Sequence, residues 1–237
     1  MSALLTLQNV TAGYGSQTVL REISLTIAEG GLTAIIGPNG HGKTTLLRAI
    51  SGLLPLRAGS ISLGGLNLTG LRPDEIVAAG IIHVPQGDML FPEMTVIENL
   101  LMGAYLPEAA AESAMRLEQV FALLPKLKER RNQVASTLSG GERRMVGIGR
   151  GLMGGGRLLM LDEPSLGLAP IVIDQIYDVI GELAAAGQSI LVVEENAARV
   201  ADKASLITLL DNGHLVWTGQ GAELMARPEI LETYLGA

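Results

Sequence analysis

The chain has 237 residues, 48% hydrophobic and 17% charged, which suits one large domain or two joined lobes and excludes a disordered composition. Only 3% is aromatic, so the core must be aliphatic, and the absence of cysteine excludes disulfides and thiolate metal sites and fits a reducing cytoplasm. A net charge of -7 with no basic cluster argues against nucleic acid, and neither a signal peptide nor a run of roughly 18 apolar residues is present.

In chain order, Leu5 and Leu7 alternate with polar neighbours, as do Ile23, Leu25 and Ile27, the period of two expected of strands. Glu29-Gly30-Gly31 reads as a turn. Leu32 to Ile36 is a short apolar run, the pattern of a strand buried on both faces. A glycine-rich loop follows, then a helix from about Lys43 to Ser51 that Gly52 can close. Ser60 to Leu68 predicts a hairpin around Gly64-Gly65. From about Pro107 to Val134 the pattern is helical, with Met115, Leu117, Val120, Phe121 and Leu124 recurring at roughly helical spacing between charged residues. A second helix is expected after Leu138, to about Met153. Leu158 to Leu161 predicts another buried strand. Pro170 opens a helix carrying Ile173, Ile176, Tyr177, Ile180 and Leu183 on one face, closed by Gly187. Ile190 to Val193 is a third buried strand, and Asp211-Asn212-Gly213 joins Leu206–Leu210 to Leu215–Trp217 in a hairpin. Short buried strands alternating with helices predict a parallel α/β core, with antiparallel strands at its edges and a helical insertion dividing it.

Three motifs carry chemistry. Gly37-Pro38-Asn39-Gly40-His41-Gly42-Lys43-Thr44 fits G-x-x-x-x-G-K-[ST], in which glycines let backbone N–H groups turn toward phosphate oxygens and the next helix offers its positive end. Lys43 is placed to reach the outer phosphates and the Thr44 hydroxyl to ligate Mg2+. His41 occupies a variable position whose side chain is expected to be idle. Leu158-Leu159-Met160-Leu161-Asp162-Glu163 is an apolar strand ending in two carboxylates, a costly placement unless they face a ligand. Asp162 is assigned to Mg2+ and Glu163 to polarising the attacking water. Leu138-Ser139-Gly140-Gly141-Glu142 is a Ser-x-x-Glu capping box at a helix start, and also an anion site with a hydroxyl, free N–H groups and a helix dipole.

The first two motifs alone permit a kinase, a GTPase or a motor. With Leu138–Glu142 between them, the order resembles the ATP-binding-cassette ATPases over essentially the whole chain. That resemblance implies a P-loop NTPase (RecA-like) α/β core with an antiparallel β edge subdomain and an inserted α-helical subdomain. The single domain spans 1–237, with about 1–85 and 154–237 in the core lobe and about 86–153 in the helical lobe. It implies ATP and Mg2+ as ligands and hydrolysis at a site shared by two subunits. Ser139 and Gly141 then act on the partner's γ-phosphate, with Leu138, Gly140 and Glu142 completing the signature. Tyr14 stands where the family stacks an aromatic on adenine, Thr45 joins the ATP-binding residues, and Gln86 senses Mg2+ and links the lobes.

Narrower features resemble the ATPase subunits of branched-chain amino acid importers. They are Phe91 to Leu100, the Pro164-Ser165-Leu166-Gly167-Leu168-Ala169-Pro170 run and the ending Tyr234-Leu235-Gly236. The implied partners are a second ATPase subunit, a paralogue or a copy of this chain, an integral membrane permease and, indirectly, a solute-binding protein. The implied location is the cytoplasmic face of the membrane. A urea, short-amide or other small-solute importer, and a non-transport cassette ATPase, are the alternatives. Asp88-Met89-Leu90 lacks the arginines frequent in that subgroup, and Glu195 replaces the histidine of most of the family. Glu195 is therefore a departure at a catalytic position. An ionised carboxylate there must be protonated, turned away, paired with a cation or simply facing solvent.

Overall fold

The chain opens with β1 (Ala3–Tyr14) and β2 (Gln17–Ala28), which pair antiparallel as the alternation of Leu5, Leu7, Ile23, Leu25 and Ile27 predicts. The computed structural model describes residues 2–87 and 89–235; Asp88 and Gly236, quoted above among the subgroup features, lie outside the described residues. A bend at Glu29-Gly30 leads into β3 (Gly31–Ile36), and the glycine-rich loop into α1 (Lys43–Ile50). Gly52 follows in the left-handed conformation, φ 71°. β4 (Leu56–Leu63) returns to pair with β1, then turns through Gly64-Gly65 into β5 (Leu66–Asn67).

Between β5 and residue 102 three short elements escape the sequence pattern: α2 (Pro73–Ala78), β6 (Ile81–Val84) and α3 (Val96–Leu101). Each spans two turns or fewer, or four strand residues, too short for periodicity to register. The start of α3 does carry a signal, because Thr95 and Glu98 form a capping box.

The helical stretch expected over 107–134 is broken into α4 (Pro107–Ala111), α5 (Ser113–Leu123) and α6 (Pro125–Glu129). Pro125 supplies one break, since a residue before proline is driven out of the helical region, and Leu124 sits at φ -125°, ψ 69°. Val120, Phe121 and Leu124 are buried as expected, but Met115 is 53% exposed. Val134 is not helical and forms a bridge to Thr95.

α7 (Gly140–Met153), β7 (Leu158–Asp162), α8 (Pro170–Ala185), β8 (Ser189–Glu194), β9 (Leu206–Asp211) and β10 (His214–Gly219) follow. The central sheet runs β10-β9-β3-β8-β7-β6, parallel except for β10, while β2-β1-β4-β5 form the separate antiparallel sheet.

Pleating sorts the apolar runs into two cores. Ile35, Met160, Leu191 and Val193 face α1 and the antiparallel sheet; Leu32, Ala34, Leu159, Ile190 and Val192 face Ile176, Tyr177 and Ile180 of α8. A third cluster, including Val96, Leu100, Phe121, Leu127 and Val146, fills the helical segment. The register aligns Ile36 with Glu194 and Asp162 with Val193, so the loops leaving β3, β7 and β8 emerge side by side at one edge. Ligands of parallel sheets bind at such carboxyl-end edges.

Candidate active site

The phosphate loop is anchored before it turns. Gly37 N–H donates to the Glu194 carbonyl at 3.2 Å, and a Cβ on Gly37 would lie 2.1 Å from the Leu210 carbonyl oxygen, so only glycine fits. Gly42, at φ 113°, stands at the N-cap of α1 and has no side chain to occupy the first-turn N–H groups. Those donors and the helix dipole form an anion site over a cavity of about 190 Å³ lined by Gly40, Lys43, Thr44, Gln86 and Glu163 among others.

Lys43 is 3% exposed, and its ammonium donates to the carbonyls of Gly37 (2.8 Å) and Pro38 (3.1 Å) and to Asn39 Oδ1 (3.4 Å). It also pairs with Glu163 Oε1 at 3.1 Å. Three protons thus serve four acceptors. A phosphate entering the loop must take over some of these bonds.

Glu163 holds its carboxylate there through a left-handed backbone, φ 44°, rare for a residue with a Cβ. Its other oxygen accepts from Gln86 Nε2 at 2.9 Å, so the loop after β6 meets the end of β7. Asp162 accepts from the Thr44 hydroxyl at 3.2 Å through Oδ1, while buried Oδ2 has no hydrogen-bond partner among the described residues. Burial, more than the neighbouring Glu163 charge, pushes the Asp162 carboxyl above its ordinary range. An orphaned carboxylate oxygen on a residue bonded to a hydroxyl fits a hard divalent cation, and Gln86 lines the same cavity as Thr44, so Thr44, Asp162 and Gln86 suit Mg2+.

Glu195, exposed, follows the buried end of β8 and accepts from Asn39 Nδ2 at 3.0 Å. Among the described residues it is satisfied by an amide of the phosphate loop and not by a cation. His41, expected to be idle, is not: its Nδ1 lies 2.7 Å from Asp211 Oδ1, and its carbonyl accepts from Gly213 N–H, tying the loop to the β9–β10 turn. Tyr14 is 43% exposed at the end of β1, and its hydroxyl accepts from Arg48 at 3.2 Å.

The signature segment lies elsewhere. Ser139 caps α7, its hydroxyl and N–H both donating to Glu142 Oε2 at 2.8 and 2.9 Å. The Ser139 N–H bond is the main reason the Glu142 carboxyl is held below its ordinary range. Gly141 must lack a side chain, because a Cβ would meet Val172 at 2.5 Å. Ser139, Gly141 and Glu142 border a separate cavity of about 490 Å³ between α7 and α8, and none of them lines the phosphate-loop cavity.

A group that sequence leaves unassigned adjoins the site. Glu194, 1% exposed, accepts from Ser165 Oγ and Tyr177 OH, each at 2.6 Å. The signal was the same as for Asp162: a carboxylate closing a buried apolar strand. Tyr177 counted only as an apolar face residue, and its hydroxyl gave no pattern.

Residues 20–166 match the family described as ABC transporter. The chain is 40% identical over 233 residues to the high-affinity branched-chain amino acid transport ATP-binding protein BraG of Pseudomonas aeruginosa, covering 98% of this chain and 100% of that one. It is 32% identical to the lipopolysaccharide export system ATP-binding protein LptB of Acidithiobacillus ferridurans, covering 100% and 98%. Among solved structures, the ADP conformation of an ATP-binding cassette of an ABC transporter superposes with a TM-score of 0.85 at 30% identity, covering 98% of each chain.

Proposed function

The chain belongs to the ABC transporter family, as an ATPase whose hydrolysis is coupled to transport, and from that premise we propose that it powers import of branched-chain amino acids through a membrane permease. The similarity to the importer protein of Pseudomonas aeruginosa, higher than to the lipopolysaccharide export protein and spanning nearly the whole chain, carries the cargo reading.

At the nucleotide, backbone N–H groups of Gly40 and of 42–45 hold phosphate oxygens and Lys43 neutralises the outer phosphates. Thr44, Asp162 and Gln86 would hold Mg2+, which would supply charge neutralisation at those phosphates. Once the nucleotide engages Lys43, Glu163 loses its cation and turns its carboxylate to the attacking water. Gln86, bonded to Glu163, reports that change to the loop after β6. Tyr14 packs on the base.

The separation of Ser139 and Gly141 from the phosphate-loop cavity favours a composite site. The Ser139 hydroxyl, on leaving Glu142, and the first-turn N–H groups of α7 serve the nucleotide of a second ATPase subunit, a paralogue or another copy. For the permease, we assign the helical segment 86–153, whose junction with β6 forms a groove of about 290 Å³. Phe91, Met102 and Tyr105 are exposed along it, and Arg150 lies 5.8 Å over the Phe91 ring. Exposed aromatic and Met side chains of this kind mark a protein contact. A solute-binding protein delivers cargo on the other side, which places this chain on the cytoplasmic face.

The test is ATP-dependent uptake of labelled leucine and urea into proteoliposomes holding the chain with its permease and binding protein. Leucine uptake abolished by Glu163→Gln meets the proposal. Urea uptake without leucine uptake reassigns the cargo, and activity without either substrate rejects import of both.

A further inference from the structure

Glu194 is the last residue of β8, and its two ends serve two different loops. Its carbonyl accepts the Gly37 N–H that starts the phosphate loop. Its side chain turns inward, where Oε1 accepts from Ser165 Oγ (2.6 Å), Tyr177 OH (2.6 Å) and Ser165 N–H (3.4 Å), and Oε2 from Arg199 at 3.4 Å. Arg199 also donates to the Ser165 hydroxyl. Burial, then the neighbouring carboxylate, raises the Tyr177 phenol, so it remains a donor. A carboxylate is seldom sunk this deep without a purpose beyond filling space, since burying its charge is costly unless it is hydrogen-bonded and paired.

The loop it grips is the one that carries Glu163. Between Glu163 and Ser165 there is a single residue, Pro164. Glu163 sits at φ 44°, a conformation held by its own N–H bond to the Val193 carbonyl at 3.0 Å and by Leu166 N–H, which returns to the Glu163 carbonyl at 3.2 Å. A non-glycine residue stays in that region only where its surroundings over-determine it. Val193 fixes the entry to the turn. On the exit side, the buried anchor is Ser165 on Glu194.

We infer that Glu194 is a positioning residue for hydrolysis: by gripping Ser165 from the end of β8, it keeps the Glu163 turn left-handed and its carboxylate aimed into the phosphate-loop cavity. The inference rests on reading Glu163 as the group that polarises water. Nucleotide binding itself, made by the loop and Lys43, does not pass through this grip. Loss of the grip lets the Glu163 turn relax and moves the carboxylate away from Lys43 and Gln86.

Glu194→Gln in the full chain keeps the size and two acceptor lone pairs but removes the charge, and Tyr177→Phe removes one donor while keeping the ring. For Glu194→Gln the expected result is a fall in kcat of about tenfold or more with KM for ATP within about twofold. Ser165→Ala should lower kcat similarly, and the double variant Glu194→Gln/Ser165→Ala should be no worse than the more damaged single one. Hydrogen exchange should quicken in 163–168 while β7 and the rest of β8 keep their protection. A kcat within about twofold of the parent, or equal losses in kcat and ATP affinity, overturns the inference. So does exchange that quickens throughout β7, β8 and α8, the sign of a purely structural role. Should Glu194→Gln fail to fold, Tyr177→Phe is judged by the same criteria, with a smaller kcat loss of about threefold. Glu163→Gln separates the underlying reading: it must abolish turnover without quickening exchange in 163–168, and if it stays active, the assignment of Glu163 fails independently of the grip.

Discussion

Lys43 and Glu163 face each other across 3.1 Å with side chains 3% and 7% exposed, so the cation meant for phosphate and the carboxylate meant for water neutralise one another. Removing one member of such a pair strands the other. Lys43→Ala should therefore abolish most ATP binding and also destabilise the fold by roughly 3 kcal/mol, while adding Glu163→Gln should restore much of that stability. Glu163→Gln alone should keep ATP binding and slow turnover about a hundredfold or more. Urea unfolding and nucleotide titration of the three variants decide it; equal stability of Lys43→Ala and the parent chain counts against the pair.

Ser139 and Lys43 belong to different cavities of one chain. Ser139→Arg should leave ATP affinity of a dilute subunit within about twofold, yet abolish turnover, because the residue serves a neighbour's nucleotide. In a mixed homodimer with Lys43→Ala chains, one composite site keeps both motifs and activity partly returns. Loss of ATP binding in monomeric Ser139→Arg, as deep as in Lys43→Ala, would place the whole site in one chain.

Glu195 accepts a hydrogen bond from Asn39 but cannot donate one to phosphate while ionised. Glu195→His should raise basal turnover by roughly fivefold, the worth of about one hydrogen bond of 1 kcal/mol, and Glu195→Gln should raise it less. The check is the steady-state ATPase rate of all three forms against pH. If Glu195→Gln is as inactive as Glu163→Gln, Glu195 is essential and not a handicap.

His83 contacts Ser51 Oγ at 2.9 Å through Nδ1, and because that hydroxyl donates to the Leu47 carbonyl, Nδ1 carries the proton. Nε2 is buried without a partner among the described residues, and burial, then Arg48, lowers the His83 pKa to about 4. The unfolded chain takes up this proton near pH 6.5, the folded chain only near pH 4. His83 thus contributes nothing adverse above about 6.5, and stability falls by up to about 3 kcal/mol as pH drops through that window. His83→Gln should flatten this part of the curve, measured by urea unfolding between pH 7 and 4; an unchanged slope removes His83 as its source.

Much of the site was legible because its chemistry is local. Phosphate binding needs closely spaced glycines, a lysine and a hydroxyl, all within 37–45, and a short buried strand ending in carboxylates is visible in any window that contains it. The parallel core followed from apolar runs too short for helices, and α7 and α8 from their caps and faces. The pieces missed were those without a period of their own, such as β6 and α3, or those where a proline outvotes a helical pattern, as at Pro125. Separations of 77 residues from Gln86 to Glu163, and of 156 from Asn39 to Glu195, became contacts only when β3, β8, β7 and β6 lined up in register. The sequence by itself determined which groups are present and what each can bind, because residue type sets charge and donor capacity. Tertiary structure alone decided that Glu194 turns inward to Ser165 and Tyr177 while Glu195 turns outward to Asn39, because adjacent strand residues point to opposite faces and only the assembled sheet says what lies on each.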